Sequence, residues 1–404
     1  MRGLQAVNQP KTLLRTGSPI SRRGLLQGAA GLGTFAAAGA LAGCAPNSGG
    51  GSVGGSGGSG SGGVVNVLAW SGHSDSELLD PFQKETGITV RVKEYTDASQ
   101  MVALATTSAP GTYDVIHVDP EYIGQLRAAN ALEPMNPDDF PEAEENFLDE
   151  FKPSSHFPVH WYDDQMYALA WGFDYIALAY NTDVYSASDV STYEIMMSDS
   201  ARGKVGALDW WSNPLGPISM WAGNKDPFNV TAEEFAGLED ALRRLRPQMS
   251  GFYTVANTIQ NLGTGQINLV PGGGRQFTIG LIQEGKPVSS VVPKEGAVQT
   301  TESLTIAAGA KNLEGAKEFI RYCISPEGNA RKSLLKAYQN APVNERTWEL
   351  IQNTEPEWAD LLGLNDGPDG VLAPMREGRT ALRRLPENQT PEEWQDLWTR
   401  FKDM

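Results

Sequence analysis

From residue 64 onward the chain alternates two hydrophobic patterns. Short apolar or alternating runs predict strands, and apolar residues recurring every three or four positions predict helices. Residues 64–70 read as a strand. Residues 76–85, with Leu78, Leu79 and Phe82 on one side, read as a helix ended by Gly87. Residues 88–92 alternate and read as a strand, 99–106 as a helix and 113–118 as a strand. Pro120 then opens a helix predicted to run to Leu132, since proline suits the first helical turn. The same alternation returns later in the chain. Strands are predicted at 204–208, 267–270, 288–292 and 305–308, and helices at 275–283 and 315–322. Another helix follows the capping box from Thr231 to Glu234, with Phe235, Leu238, Leu242 and Leu245 at helical spacing. Strands alternating with helices imply a mostly parallel sheet with helices on its faces. Two α/β units of similar size are visible, with no clear sequence repeat between them.

Two open α/β units imply a cleft, and in such sheets ligands sit beyond the carboxyl ends of the strands. That rule selects Trp70-Ser71-Gly72-His73, Asp119-Pro120-Glu121, Asp209-Trp210-Trp211 and Gly272-Gly273-Gly274-Arg275. Aromatics and acids together are the makeup of a small-molecule pocket. Each has a plainer reading. Trp70 can pack at a strand end, and acids are common in a chain with 49 of them. Adjacent Trp210 and Trp211 point to opposite sides of an extended chain, so they cannot share one core. Asp174, in Trp171-Gly172-Phe173-Asp174-Tyr175, suits either a pocket or the support of a hinge. Arg275 behind a glycine-rich turn at a helix N-terminus is a candidate anion site. The three glycines are not a phosphate loop, because no Gly-Lys-Ser/Thr follows.

The chain has 404 residues, 40% hydrophobic and 20% charged. That length predicts about two to three domains, and the composition a packed protein. The formal charge is −17, and residues 1–43 hold five cations and no acid, so the body is more acidic still. Such a body repels nucleic acid. Two cysteines, Cys44 and Cys323, exclude a disulfide framework and a cysteine metal cluster, and no metal or other cofactor is expected. Cys323 falls on the apolar side of a predicted helix and reads as a core thiol.

Ser21-Arg22-Arg23-Gly24-Leu25-Leu26 resembles a twin-arginine export signal, and Leu41-Ala42-Gly43-Cys44 resembles the bacterial lipoprotein box. Residues 1–43 are therefore expected to be a signal peptide, with Cys44 lipidated. Residues 44–63 then form a Gly/Ser tether. The alternative is a retained membrane helix. Either reading places the body outside the cytoplasmic membrane, in the periplasm or at the cell surface.

Pro293-Lys294-Glu295-Gly296, Glu302-Ser303-Leu304 and Ala310-Lys311-Asn312-Leu313-Glu314-Gly315-Ala316 closely resemble the spermidine/putrescine-binding protein family. These are extracytoplasmic solute-binding proteins of ABC importers. Val67-Leu68-Ala69-Trp70, Phe82-Gln83-Lys84-Glu85-Thr86-Gly87-Ile88, Tyr113-Asp114-Val115, Tyr180-Asn181-Thr182-Asp183 and Gly203-Lys204-Val205 match in the same order. The resemblance implies a two-lobed, type II periplasmic-binding-protein-like α/β fold with a ligand cleft at the hinge. Lobe 1 would be 64–176 plus 303–345, and lobe 2 would be 177–302 plus 346–404. It implies a monomer that hands its solute to a permease and ATPase, with no catalysis. It places Trp70 on the ligand's methylenes, Asp119 and Glu121 at ligand-touching positions, and Asp209 with Trp210 where the family has two acids. Glu302 falls on the acid that pairs with an amine, and Tyr338 on a ligand-lining tyrosine. Two tryptophans of the family are missing here, with Thr300 and the stretch 271–274 in their place.

The expected function is capture of a small polar, amine-bearing solute. The alternatives are a zwitterionic amine or aminophosphonate, or a sugar. A ferric-ion carrier wants two neighbouring tyrosines in the cleft, and none is well placed. A secreted hydrolase needs a nucleophile and base in reach. No Gly-x-Ser-x-Gly motif occurs, and the four histidines are scattered at 73, 117, 156 and 160.

Overall fold

The computed structural model describes residues 63–336, 339–364 and 370–404. The expected export signal, Cys44, most of the linker and Tyr338 lie outside the described residues. Strands of three residues or more are β1 (Gly63–Trp70), β2 (Ile88–Tyr95), β3 (Val115–Val118), β4 (Leu169–Asn181), β5 (Val205–Leu208), β6 (Met249–Tyr253), β7 (Leu269–Gly273), β8 (Val288–Val291), β9 (Ala297–Ala307) and β10 (Thr380–Leu382). They share one sheet, in the order β2-β1-β3-β9-β4-β7-β5-β6, with β8 beside β4 and β10 beside β9. The outer pairs β1–β2, β1–β3, β5–β6 and β5–β7 are parallel, as the β-α-β order predicts. Between them lie the two long strands β4 and β9, antiparallel to each other.

These two strands join the halves of the sheet. Leu169 to Ile176 of β4 pairs with β9, and Ala177 to Asn181 pairs with β7 and β8. Every residue of β4 is buried, so its pattern is a near-continuous apolar run rather than an alternation. The register of β9 against β4 shifts between Glu302 and Ser303. Such a bulge re-aims a side chain, here next to an acid of interest.

Each half has its own core. Leu68, Ile116, Ile123 and Leu126 anchor one, and Leu215, Phe228, Leu242 and Leu269 the other. The C-terminal helix Pro391–Asp403 drives Trp394, Leu397, Trp398 and Phe401 into the second core. It starts with a capping box between Thr390 and Glu393. The helix Glu345–Thr354 instead packs on Pro326–Ser333, beside the first core.

Several elements differ from the sequence reading in extent. The helix expected after Pro120 is a short 3-10 turn followed by Ile123–Ala128. The strand expected at 305–308 is the end of the longer β9. Gly272, read from the sequence as part of a glycine-rich turn, lies in the bulged end of β7, at φ +91. A Cβ there would also run into Asn213 and Pro214, so two constraints favour glycine.

Candidate functional site

The carboxyl ends of β1, β3, β5 and β6 converge on a cavity of about 150 Å³. That is room for roughly ten water-sized groups. Trp70, which ends β1, and Trp210, just past β5, form two of its walls. Their rings are almost parallel, 5° apart in plane with centroids 6.4 Å apart. Trp70 is held edge-on by Tyr95 at 5.4 Å. Thr300 lines the same cavity and donates its hydroxyl to the Asp174 carbonyl at 3.2 Å.

Asp119 and Glu302 are the acids on the cavity wall. Both face cations of the protein itself. Arg383, one residue past β10, also lines the cavity. Its Nε lies 2.9 Å from Glu121 Oε1 and its Nη1 3.7 Å from Asp119 Oδ2. Its guanidinium carbon sits 5.4 Å from the centre of the Trp210 ring, a cation–π distance. Burial pushes both carboxyls up, Arg383 pulls them back only in part, and Glu121 ends at about 7.

Glu302 is buried and ion-paired with Lys332 of the helix Pro326–Ser333. Asn340 closes the triangle. Its Oδ1 accepts from Lys332 Nζ at 2.5 Å, and its Nδ2 donates to Glu302 Oε2 at 2.9 Å. Burial pushes the Glu302 carboxyl up, but the nearby positive charge, Lys332 above all, outweighs it and holds the group at about 2. Burial pulls the Lys332 ammonium down against the attraction of Glu302. We treat the pair as charged, because neutralising one partner alone would strand the other's charge in the interior.

Two buried imidazoles approach the other oxygen of Glu302. His73 Nε2 is 3.8 Å and His117 Nε2 3.6 Å from Oε1. Burial pushes both histidines down, His117 to about 3, so both are neutral at pH 7. These three side chains offer ligand atoms within 4.8 Å of one another, a spacing a metal could use. The hydrogen bond to His117 favours another role for that ring, while His73 keeps an unprotonated Nε2. His73 Nδ1 donates to the Trp70 carbonyl at 3.0 Å, and the Trp70 N–H donates to His117 Nδ1 at 3.4 Å. An unprotonated Nδ1 puts the proton of neutral His117 on Nε2, aimed at Glu302. The arrangement fits a polar network that fixes Trp70 and Glu302 relative to each other.

The remaining expected residues lie elsewhere. The Ser71 hydroxyl donates to Glu94 at 3.2 Å, and Gly72 and Ser74 donate to the same carboxylate, tying down the loop after β1. Asp209 is half exposed and ion-paired with Lys402 at 2.6 Å. Trp211 packs on Phe228 and Trp394 of the second core. Asp174 and Arg275 line a separate cavity of about 270 Å³ beside β4. Burial pushes Asp174 up to about 6, with Arg275 pulling the other way. Trp70, Asp119, Trp210 and Glu302 therefore share one cavity, and Glu121 lies behind it. Arg383 and Lys332 were not selected from the sequence. Arg383 follows a strand and obeys the rule that selected the others. Lys332 reaches Glu302 only through tertiary packing.

The profile of the family described as Bacterial extracellular solute-binding protein matches residues 77–359. The chain belongs to this family. Spermidine/putrescine-binding periplasmic protein 1 of Haemophilus influenzae is 25% identical over 324 residues, covering 74% of this chain and 85% of that protein. The spermidine/putrescine substrate-binding protein PotD of Streptococcus pneumoniae, a solved structure, superposes with a TM-score of 0.68 at 16% identity, over 84% of this chain and 98% of that one. MotA of A. tumefaciens, solved with glucopine, superposes at 0.59 with 19% identity, over 84% and 99%. The two-lobed fold implied by the sequence resemblance is thus shown for this solute-binding protein. The shared fold accompanies different ligands in those two proteins.

Proposed function

We propose that this solute-binding protein captures a small polar, amine-bearing solute between two lobes and delivers it to the permease of an ABC importer, without chemical change. The observation that carries this reading is the cavity at the carboxyl ends of strands from both halves, walled by the parallel rings of Trp70 and Trp210 with Asp119 beside them. Flat aromatic walls suit methylenes or a planar group, and a carboxylate beside them suits an ammonium. Lobe 1 would comprise 64–176 with 303 to about 364, and lobe 2 would comprise 177–302 with the C-terminal stretch. The packing of Glu345–Thr354 on Pro326–Ser333 favours a return of the chain to lobe 2 after residue 364 rather than at 346, the bound that the sequence resemblance implies. β4 and β9 would then carry the hinge, and closure would be a rigid-body motion about them. Lipid on Cys44, after export by the twin-arginine route, would hold a monomer at the outer face of the cytoplasmic membrane. Cys44→Ala should release the protein from the membrane fraction.

A thermal-shift screen over amines, amino acids, aminophosphonates and sugars tests the reading. A true ligand at about 100 times its Kd should add about 2.7 kcal/mol of stability. The same ligand should compact the protein in solution scattering. Trp70→Ala and Trp210→Ala should each weaken the hit by about tenfold, the worth of one lost aromatic contact. A screen with no stabilising compound, and scattering that no compound changes, would remove the proposal.

A further inference from the structure

We infer that the cavity takes a solute with a single ammonium group and rejects polycations, and that Arg383 and Lys332 set this specificity. The inference rests on the cavity being the solute site and names the class of solute it accepts.

Recognition of a dication needs two carboxylates free to pair with it. The acids that the sequence offers for this purpose already have partners. Glu302 is closed off by Lys332, which is wholly buried, and by Asn340. Glu121 is held by Arg383 at 2.9 Å, and Asp209 by Lys402 at 2.6 Å. Asp174 faces Arg275 in the other cavity. Asp119 is the most loosely paired of them. Its Oδ2 is 3.7 Å from Arg383 Nη1, beyond hydrogen-bond reach, and it lies on the cavity wall. Among the described residues, three acids at or just behind this cavity (Asp119, Glu121, Glu302) face two cations (Arg383, Lys332). At most one negative charge remains for the solute to balance, since burial raises the Asp119 and Glu121 carboxyls. A second ammonium would leave water to meet no unpaired carboxylate, and it would lie close to Arg383. Desolvating an ion without a partner costs several kcal/mol. The rest of the solute must then be uncharged, or carry a negative group that Arg383 can also meet. Arg383 is placed for this, since it lies across the Trp210 ring and lines the cavity.

A series of matched four-carbon ligands tests this by calorimetry: putrescine with two ammonium groups, 4-aminobutanol with one, and 4-aminobutanoate with one ammonium and one carboxylate. The wild type should bind at least one of the two mono-ammonium compounds more tightly than putrescine, and spermidine should be no better than putrescine. Arg383→Gln should shift the preference toward putrescine by tenfold or more relative to 4-aminobutanol. Arg383→Gln with Glu121→Gln, which keeps the charge balance, should restore the wild-type preference. If Arg383→Gln does not fold, the wild-type order and the double variant still decide the matter. The inference is overturned if putrescine or spermidine is the tightest ligand of the wild type. It is also overturned if neither mono-ammonium compound binds, or if Arg383→Gln leaves the ratio unchanged. Tight polyamine binding would sink this inference while leaving solute capture intact. Capture itself would fall only if no compound of any class closed the protein.

Discussion

Lys332→Met should destabilise the protein by about 3–5 kcal/mol at pH 7, the cost of stranding a buried charge by removing its partner. The lysine is wholly buried, and its ammonium meets Glu302 and Asn340. Methionine fills a similar volume, so packing changes little and the electrostatic loss is isolated. The double variant with Glu302→Gln should recover most of the loss, because no lone charge remains. The pH dependence gives a second readout. In the wild type the Glu302 carboxyl is held at about 2. Its stabilising contribution is therefore present above the unfolded value of about 4.3 and fades as pH falls toward 2. Without Lys332, burial dominates and raises the same carboxyl. That contribution has the opposite sign, present at low pH and lost as pH rises. The gap between wild type and Lys332→Met should thus widen from acid to neutral pH. Urea melts at several pH values measure it. A variant within about 1 kcal/mol of wild type at every pH would show that Glu302 is not held as a buried carboxylate.

Most of this architecture is legible in local sequence. The helix Arg275–Gln283 has the bounds its pattern predicts, and the Thr231–Glu234 capping box starts the helix Ala232–Leu245. The same kind of box, Thr390 to Glu393, precedes Trp394, Leu397, Trp398 and Phe401 at helical spacing. That helix is therefore also legible in the sequence. β4 was harder to read, because burial on both faces erases the alternation that marks a strand. At the site, the rule about strand ends found Trp70, Asp119 and Trp210, since the fold itself carries strand ends to the cleft. It failed for Asp209 and Trp211, which sit at the same strand end but turn outward and into the second core. Arg383 and Lys332 escaped for a different reason. Local sequence says which acids approach a cleft, but not whether a cation from 30 or 260 residues away arrives to neutralise them. Lys332 lies 30 positions from Glu302, and Arg383 lies 262 from Glu121. Counting acids from sequence therefore overstates the positive charge that the solute can carry.

His160 gives the second large effect. It is 3% exposed, and its Nε2 is 2.8 Å from the hydroxyl of Ser303, the residue beside the bulge that aims Glu302. Burial alone pushes it down to about 3. Below its unfolded value of about 6.5 the unfolded chain takes up a proton that the folded one refuses. The neutral imidazole is therefore fully compatible with folding above about pH 6.5. As pH falls, it costs about 1.4 kcal/mol for each unit until the folded group also titrates. Glutamine can keep a hydrogen bond to Ser303 and cannot be charged. His160→Gln should lose about 1 kcal/mol near neutral pH through poorer packing. That deficit should shrink by about 2 kcal/mol between pH 6.5 and 5, so the variant becomes the more stable protein in acid. The comparison with wild type matters. Glu121, raised to about 7, and Asp174, raised to about 6, contribute in the opposite direction, with stability present at low pH and lost as pH rises. A single stability profile mixes these groups, whereas the difference between the two proteins isolates His160. A difference that stayed constant with pH would mean that the folded protein protonates His160 as readily as water-exposed imidazole does, and that the strand beside Glu302 is open to solvent.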